Sequence, residues 1–206
     1  MGAVAARAAA AVVVAVDVRA GGDVHAPTLP RPRRSRHARP MLRAATAADL
    51  PAIAAITAHY VATTAIHFAY QPPSVDELAA QWAARARHPW LVVVDAAGQV
   101  VGYGKSDRFR ARAAYDRTAE VGLYLAPTHC GRGLGRALLA ALLEDMTAAG
   151  LHVAVAGIAQ PNPASVALFE RCGFTAVGVF HEVGWKLDRW HDVGFWQRRL
   201  GAPPPP

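Results

Sequence analysis

Apolar residues recur along this chain in two periods, and the switches between them mark out its elements. The first strand covers Leu42–Ala45. Leu50, Ile53, Ala54 and Ile56 then share one face of a helical repeat, with Thr46 and Asp49 placed to cap it. The stretch PPSVDELAAQWAARARH predicts a second helix, because Ser74 followed three residues later by Glu77 makes a capping box. PWLVVVDAAGQVVGYGKS reads as two strands joined by a turn around Ala97-Gly98, and RTAEVGLYLAP as a longer strand ended by Pro127. A helix follows from about Leu134 to Ala149, with Leu134, Leu138, Ala141 and Leu142 at helical spacing and Gly150 as its stop. HVAVAGI is a buried strand, NPASVALFERCG a helix between Asn162 and Gly173, and FTAVGVF and HDVGFWQRRL are closing strands. The predicted order is β-α-α-β-β-β-α-β-α-β-β, without internal repeats: an α+β domain.

Composition bounds this domain at both ends. At 206 residues there is room for one substantial core. Residues 1–40 run from Ala/Val-rich to Gly/Pro/Arg-rich, and the second half cannot bury enough surface to fold alone. We therefore expect 1–40 to be a disordered or mis-started extension, 41–200 the folded domain and 201–206 a disordered tail. Arg7 and the apolar run after it resemble a signal peptide, but Asp17 and Arg19 follow without a clean small-residue cleavage site. The formal charge of +7 is concentrated in the extension, where seven Arg stand against Asp17 and Asp23; the rest of the chain carries only +2. That distribution, with no zinc spacing and no basic helix, argues against a nucleic-acid binder. No run of about 18 apolar residues lacks charges, which argues against a membrane span. The two cysteines, Cys130 and Cys172, make no CxxC and are too few for a disulfide framework, so the expected setting is cytoplasmic.

The chemistry is signalled by CGRGLGR, Cys130–Arg136, between a strand and a helix. Glycines let successive backbone N–H groups face one point, and the helix that follows adds its positive end, which together make a pyrophosphate seat. An ordinary glycine-rich turn is the alternative. A P-loop is excluded, because Gly135 is followed by Arg136-Ala137 rather than Lys-Ser/Thr. The G-x-G-x-G spacing also departs from the dinucleotide fingerprint. Thirteen residues before Gly133, Glu120 sits in an otherwise apolar strand. It is either a general base or a carboxylate paired with an arginine such as Arg112 or Arg117.

This combination of strand carboxylate, glycine turn, helix, strand and Asn-headed helix resembles the GNAT superfamily of N-acetyltransferases. Within it, LRAATAADLPAI, HPWLVVVDAAGQVVGY, FRARAAYDRTAE, GRGLGRALL, PNPASVALFERCGF and above all GWKLDRWHDVGFWQ resemble the phosphinothricin and methionine sulfoximine/sulfone acetyltransferases. The resemblance implies a mixed, largely antiparallel sheet flanked by helices, acetyl-CoA as co-substrate, no metal, and direct transfer to a small amino-acid-like acceptor in a ternary complex. It implies Glu120 as the base, and pantetheine pairing to the backbone of Leu123, Tyr124 and Leu125. Pyrophosphate would lie on Gly131, Arg132, Gly133, Leu134, Gly135 and Arg136, and the pantetheine arm on Asn162, for which a plain helix cap is the alternative. Arg110, Arg112 and Tyr115 would face the acceptor, whose anionic groups suit the guanidinium fork; Arg108 and Arg117 are expected to be solvated. A homodimer is also implied.

Two departures qualify this. Cys130 replaces the Gln or Arg common in the superfamily, which a backbone-dominated phosphate site tolerates. Phe169 replaces a Tyr or His that could protonate the departing thiolate, leaving Tyr115, Tyr124 and His191 as alternatives. A protein or peptide N-terminal acetyltransferase and a CoA-binding module without catalysis are the competing functions. Lys186, Trp190, His191 and Asp192 of GWKLDRWHDVGFWQ belong near the end of the sheet, His191 either as a core histidine or at the site.

Overall fold

A computed structural model describes residues 41–201. The expectations for residues 1–40 and for 202–206 lie outside the described residues. Seven strands form one sheet: β1 (Met41–Ala44), β2 (Trp90–Val94), β3 (Val100–Arg108), β4 (Thr118–Leu125), β5 (Val153–Ala159), β6 (Thr175–Lys186) and β7 (Arg189–Arg199). Their spatial order is β1-β2-β3-β4-β5-β7-β6. Every neighbouring pair is antiparallel except β4–β5, which is parallel and joined through a helix. The helices are α1 (Leu50–Thr63), α2 (Val75–Ala83), α3 (Leu134–Ala148) and α4 (Pro163–Arg171). The α+β order predicted from the periodicity is the order observed.

Each face of the sheet is covered by a different pair of helices. Alternate residues of β4, Ala119, Val121, Leu123 and Leu125, join Leu138, Leu139, Leu142 and Met146 of α3 and Phe169 of α4 in one core. On the other face Tyr124, Tyr103, Val92 and Trp90 pack with Leu50, Ile53, Ile56 and Tyr60 of α1 and Leu78 of α2. Ser74 caps α2 as predicted: its Oγ accepts from Glu77 N–H, and Glu77 Oε2 accepts from Ser74 N–H.

The closing strands differ from the sequence reading. They are longer than FTAVGVF and HDVGFWQRRL, and GWKLDRW forms the tip of the β6–β7 hairpin. Its turn residues Leu187 and Asp188 both adopt the left-handed conformation, at φ 53° and 57°. That is the geometry of a tight hairpin turn without the glycine that usually announces one. The connection after α1 is fastened to this hairpin. Tyr70 Oη donates to Trp185 O (2.7 Å), and Lys186 Nζ donates to Val61 O and His67 O (2.6 Å each). Phe68 fills the space beside Gly184, where a Cβ would come within 2.5 Å of the ring.

Candidate active site

The candidate site lies where β4 and β5 separate. Their pairing covers only Thr118–Val153, Ala119–Ala154 and Glu120–Val155. Beyond Glu120, β4 keeps its partner β3 as far as Leu125. Antiparallel pairing alternates the direction of the peptide groups. Because Ala126 N–H donates to Val101 O, Tyr124 turns its peptide groups toward β3, while Leu123 and Leu125 turn theirs toward the opening. This differs from the sequence reading, which counted Tyr124 among the backbone partners of pantetheine: its peptide groups are taken up by β3. At the end of the opening Tyr60 Oη donates to Leu125 O (2.6 Å).

The glycine turn, the anion seat expected from the sequence, sits at the head of α3. Gly131 and Gly133 have φ of 73° and 81°, and a Cβ at either would meet nothing within 4 Å. Backbone conformation, not crowding, is what requires glycine there. Gly133 is the N-cap of α3, no side chain caps it, and the first turn holds no acidic residue. The N–H groups of Leu134, Gly135 and Arg136 therefore head the helix without an intrahelical acceptor. Gly135 packs closely against α4, where a Cβ would lie 3.3 Å from the Leu168 side chain. Cys130 N–H donates to Pro127 O, and its Sγ points to Ala126 O (3.7 Å).

Glu120 is half-buried, on the sheet face that also carries Tyr124. Desolvation, aided by the negative charge of Asp107 across the strand pair and opposed by Arg110, pushes its carboxyl from 4.5 up to about 7. Among the described residues it makes no ion pair, so the pairing with Arg112 or Arg117 weighed from the sequence is not formed. The β3–β4 connection runs beside it. There Phe109, Arg110, Arg112 and Tyr115 line an open hollow of about 440 Å³. Tyr115 stands edge-on to Phe109, and Arg110 lies 5.0 Å from the Phe109 ring centre. Arg108, by contrast, pairs with Asp116 at 3.7 Å.

The remaining predicted residues divide clearly. Asn162 is buried and its Oδ1 caps α4 by accepting from Ser165 N–H (3.1 Å). It also borders a second hollow of about 340 Å³ between the end of α1 and the start of α4. Phe169 is fully buried, its ring 4.8 Å from Phe174. His191 is a buried histidine whose Nε2 meets Lys186 O at 2.9 Å, and Asp192 pairs with His181 instead. Sequence reasoning missed His67. Its ring lies 5.9 Å from Tyr124, and its Nδ1 accepts from Ala69 N–H. Burial, with Lys186 and Lys105 nearby, holds the imidazole down at about 4, so it is neutral at pH 7. It stands in a loop without periodicity and gave no signal.

Residues 53–174 match the Acetyltransferase (GNAT) family. The chain belongs to this family. It is 40% identical over 169 residues to a phosphinothricin N-acetyltransferase of Streptomyces viridochromogenes, covering 80% of this chain and 90% of that protein. It is 40% identical over 161 residues to an L-methionine sulfoximine/L-methionine sulfone acetyltransferase of Pseudomonas paraeruginosa, covering 77% and 94%. A GNAT phosphinothricin acetyltransferase of Sinorhizobium meliloti, solved in complex with acetyl-CoA, superimposes with a TM-score of 0.77 at 36% identity, covering 80% of this chain and 90% of that one. The protein is thus a GNAT N-acetyltransferase similar to the phosphinothricin enzymes. The glycine turn and the strand glutamate are features of this GNAT chain that the sequence brought forward, and the early end of the parallel β4–β5 pairing is one that the fold adds.

Proposed function

We propose that the protein transfers acetyl from acetyl-CoA to the α-amino group of a small amino-acid-like acceptor of the phosphinothricin, methionine sulfoximine or methionine sulfone type, by direct attack in a ternary complex. One observation carries this reading: a carboxyl with a pKa of about 7 and no ion-pair partner among the described residues stands where β4 leaves β5. Glu120 takes a proton from the acceptor's ammonium, directly or through one water, and so frees the lone pair that attacks the thioester carbonyl. A backbone N–H of β4 at Leu123 or Leu125 stabilises the oxygen that gains charge. The donor set fits the co-substrate. The N–H groups of Gly131–Arg136 and the positive end of α3 receive the pyrophosphate, with the Arg132 and Arg136 side chains adding charge. Peptide groups of Leu123 and Leu125 pair with the pantetheine amides, and Asn162 borders the arm.

Arg110, Arg112 and Tyr115 hold the acceptor's anionic end beside Glu120. Phe169 has no proton to give. Of the three alternatives, Tyr124 shares the face of Glu120, whereas Tyr115 lies in the exposed loop and His191 is held by the hairpin. We therefore assign the proton returned to the thiolate to Tyr124. The arginines that line the hollow suit the anionic end of a small acceptor over a peptide terminus. We further propose a cytoplasmic homodimer that joins through β6, where Val177, Val179, Phe180, Val183 and Trp185 are exposed along a sheet edge.

The test follows thiol release from acetyl-CoA with phosphinothricin, methionine sulfoximine, methionine sulfone, free amino acids and short peptides. Turnover should be confined to the first three and related amino acids. Preference for peptides would replace this reading with the N-terminal acetyltransferase, and acetyl-CoA binding without turnover on any acceptor would replace it with the binding module.

A further inference from the structure

Two charged residues beside Glu120 belong neither to the acceptor hollow nor to the core. Asp107 lies directly opposite Glu120 in the β3–β4 register, so both side chains leave the same face of the sheet. Like charges in that relation are destabilising unless something offsets them. Lys105 supplies the offset, with Nζ 2.7 Å from Asp107 Oδ2. The ammonium is itself braced, 3.3 Å from Gln81 Oε1 on α2 and 4.7 Å from the Trp90 ring centre on β2. The lysine side chain is only 15% exposed, so the pair is fixed rather than a loose surface contact. Of the other elements around Glu120, the β3–β4 connection contributes Arg110, and β5 contributes the uncharged Val155 opposite it.

We propose that Asp107 is a positioning residue for acetyl transfer: its carboxylate, locked by Lys105, sits across from Glu120 so that the proton leaving the acceptor's ammonium is retained on Glu120. The inference rests on the reading of Glu120 as the base. The step is a proton transfer without redox change: an N–H bond of the ammonium breaks, an O–H bond forms on Glu120, and the freed pair attacks the acetyl carbon. A fixed negative charge opposite Glu120 makes its protonated form more favourable. The ion pair with Lys105 occupies the Asp107 carboxylate, so Asp107 faces Glu120 as a fixed neighbour and not as a partner for its proton.

The two members of the pair should therefore shift the reaction in opposite directions. In kcat/KM profiles, Asp107→Asn should move the acid limb to lower pH by about half a unit to one unit, and Lys105→Met should move it upward by a similar amount. Asp107→Asn is isosteric and keeps an acceptor for Lys105, so it stands alone if Lys105→Met does not fold. A merely structural pair would lower kcat without moving the limb. The profile of Glu120→Gln separates the two claims. If its acid limb survives unchanged, the base assignment fails. If the limb is lost there but stays in place in Asp107→Asn, the role of Asp107 alone is overturned.

Discussion

Replacing Glu120 by Gln should make the protein more stable and less active at the same time. The folded carboxyl has a pKa of about 7 against an ordinary 4.5. Between those values the folded state holds a proton that the unfolded chain has released, so stability falls as pH rises from 4.5 to about 7 and stays lowered above it. At about 1.36 kcal/mol per pKa unit the rise amounts to about 3 kcal/mol at full burial. Solvent reaching the half-exposed carboxyl reduces this to about 1–2 kcal/mol. Glutamine has the same shape and no charge to desolvate. The variant should therefore unfold at higher denaturant concentration than the parent at pH 8, and at nearly the same concentration at pH 4. The rate should move the other way. Loss of a general base costs about 10²–10⁴ in kcat/KM. In the parent, the ionised fraction of a group titrating near pH 7 falls tenfold per unit below it, which gives an acid limb that the variant lacks. Denaturant titrations at pH 4 and 8, together with thiol-release profiles, measure both effects. Equal stabilisation at both pH values would mean that charge is not what burial of Glu120 opposes. A full rate at pH 7 would mean that Glu120 is not the base.

Three further outcomes follow from other parts of the site. Gly133→Ala places a Cβ in open space but at φ 81°, so it should cost about 1 kcal/mol in stability and raise the KM for acetyl-CoA more than that of the acceptor; unchanged affinity would remove the turn from the pyrophosphate seat. Phe169→Tyr adds a hydroxyl to a fully buried ring against Phe174, and should destabilise by about 1–3 kcal/mol without raising kcat; a faster enzyme would show that the missing proton donor limits the rate. Val179→Lys places a charge on the exposed strand β6 and should shift sedimentation of the proposed dimer toward monomer with little change in unfolding; a parent that sediments as a monomer would refute the dimer, and a dimer unaltered by the substitution would place the interface elsewhere.

Local order was legible in the chain because its causes are local. The capping box at Ser74, the helix begun after Gly133 and the apolar run of β5 each depend on neighbours within a few residues, and each formed where the pattern put it. The glycine turn and Glu120 could be singled out for a related reason: positive-φ glycines and an acid in an apolar strand are anomalies visible in one dimension. The length of the β6–β7 hairpin was not legible, since Leu187-Asp188 turns without a glycine and Phe68, far away in sequence, holds Gly184.

Only the tertiary structure decided what surrounds Glu120. Strand register, which no residue encodes alone, set Asp107 opposite it and turned the Tyr124 peptide toward β3. The early end of the β4–β5 ladder freed the edge on which Leu123 and Leu125 face the opening. Folding likewise sent Phe169 into the core, His191 to the hairpin backbone and His67 to the side of Tyr124. The sequence by itself determined which elements form and which residues have the chemistry to act. The fold determined which of them meet, because pairing across the sheet joins residues whose separation along the chain carries no trace of their contact.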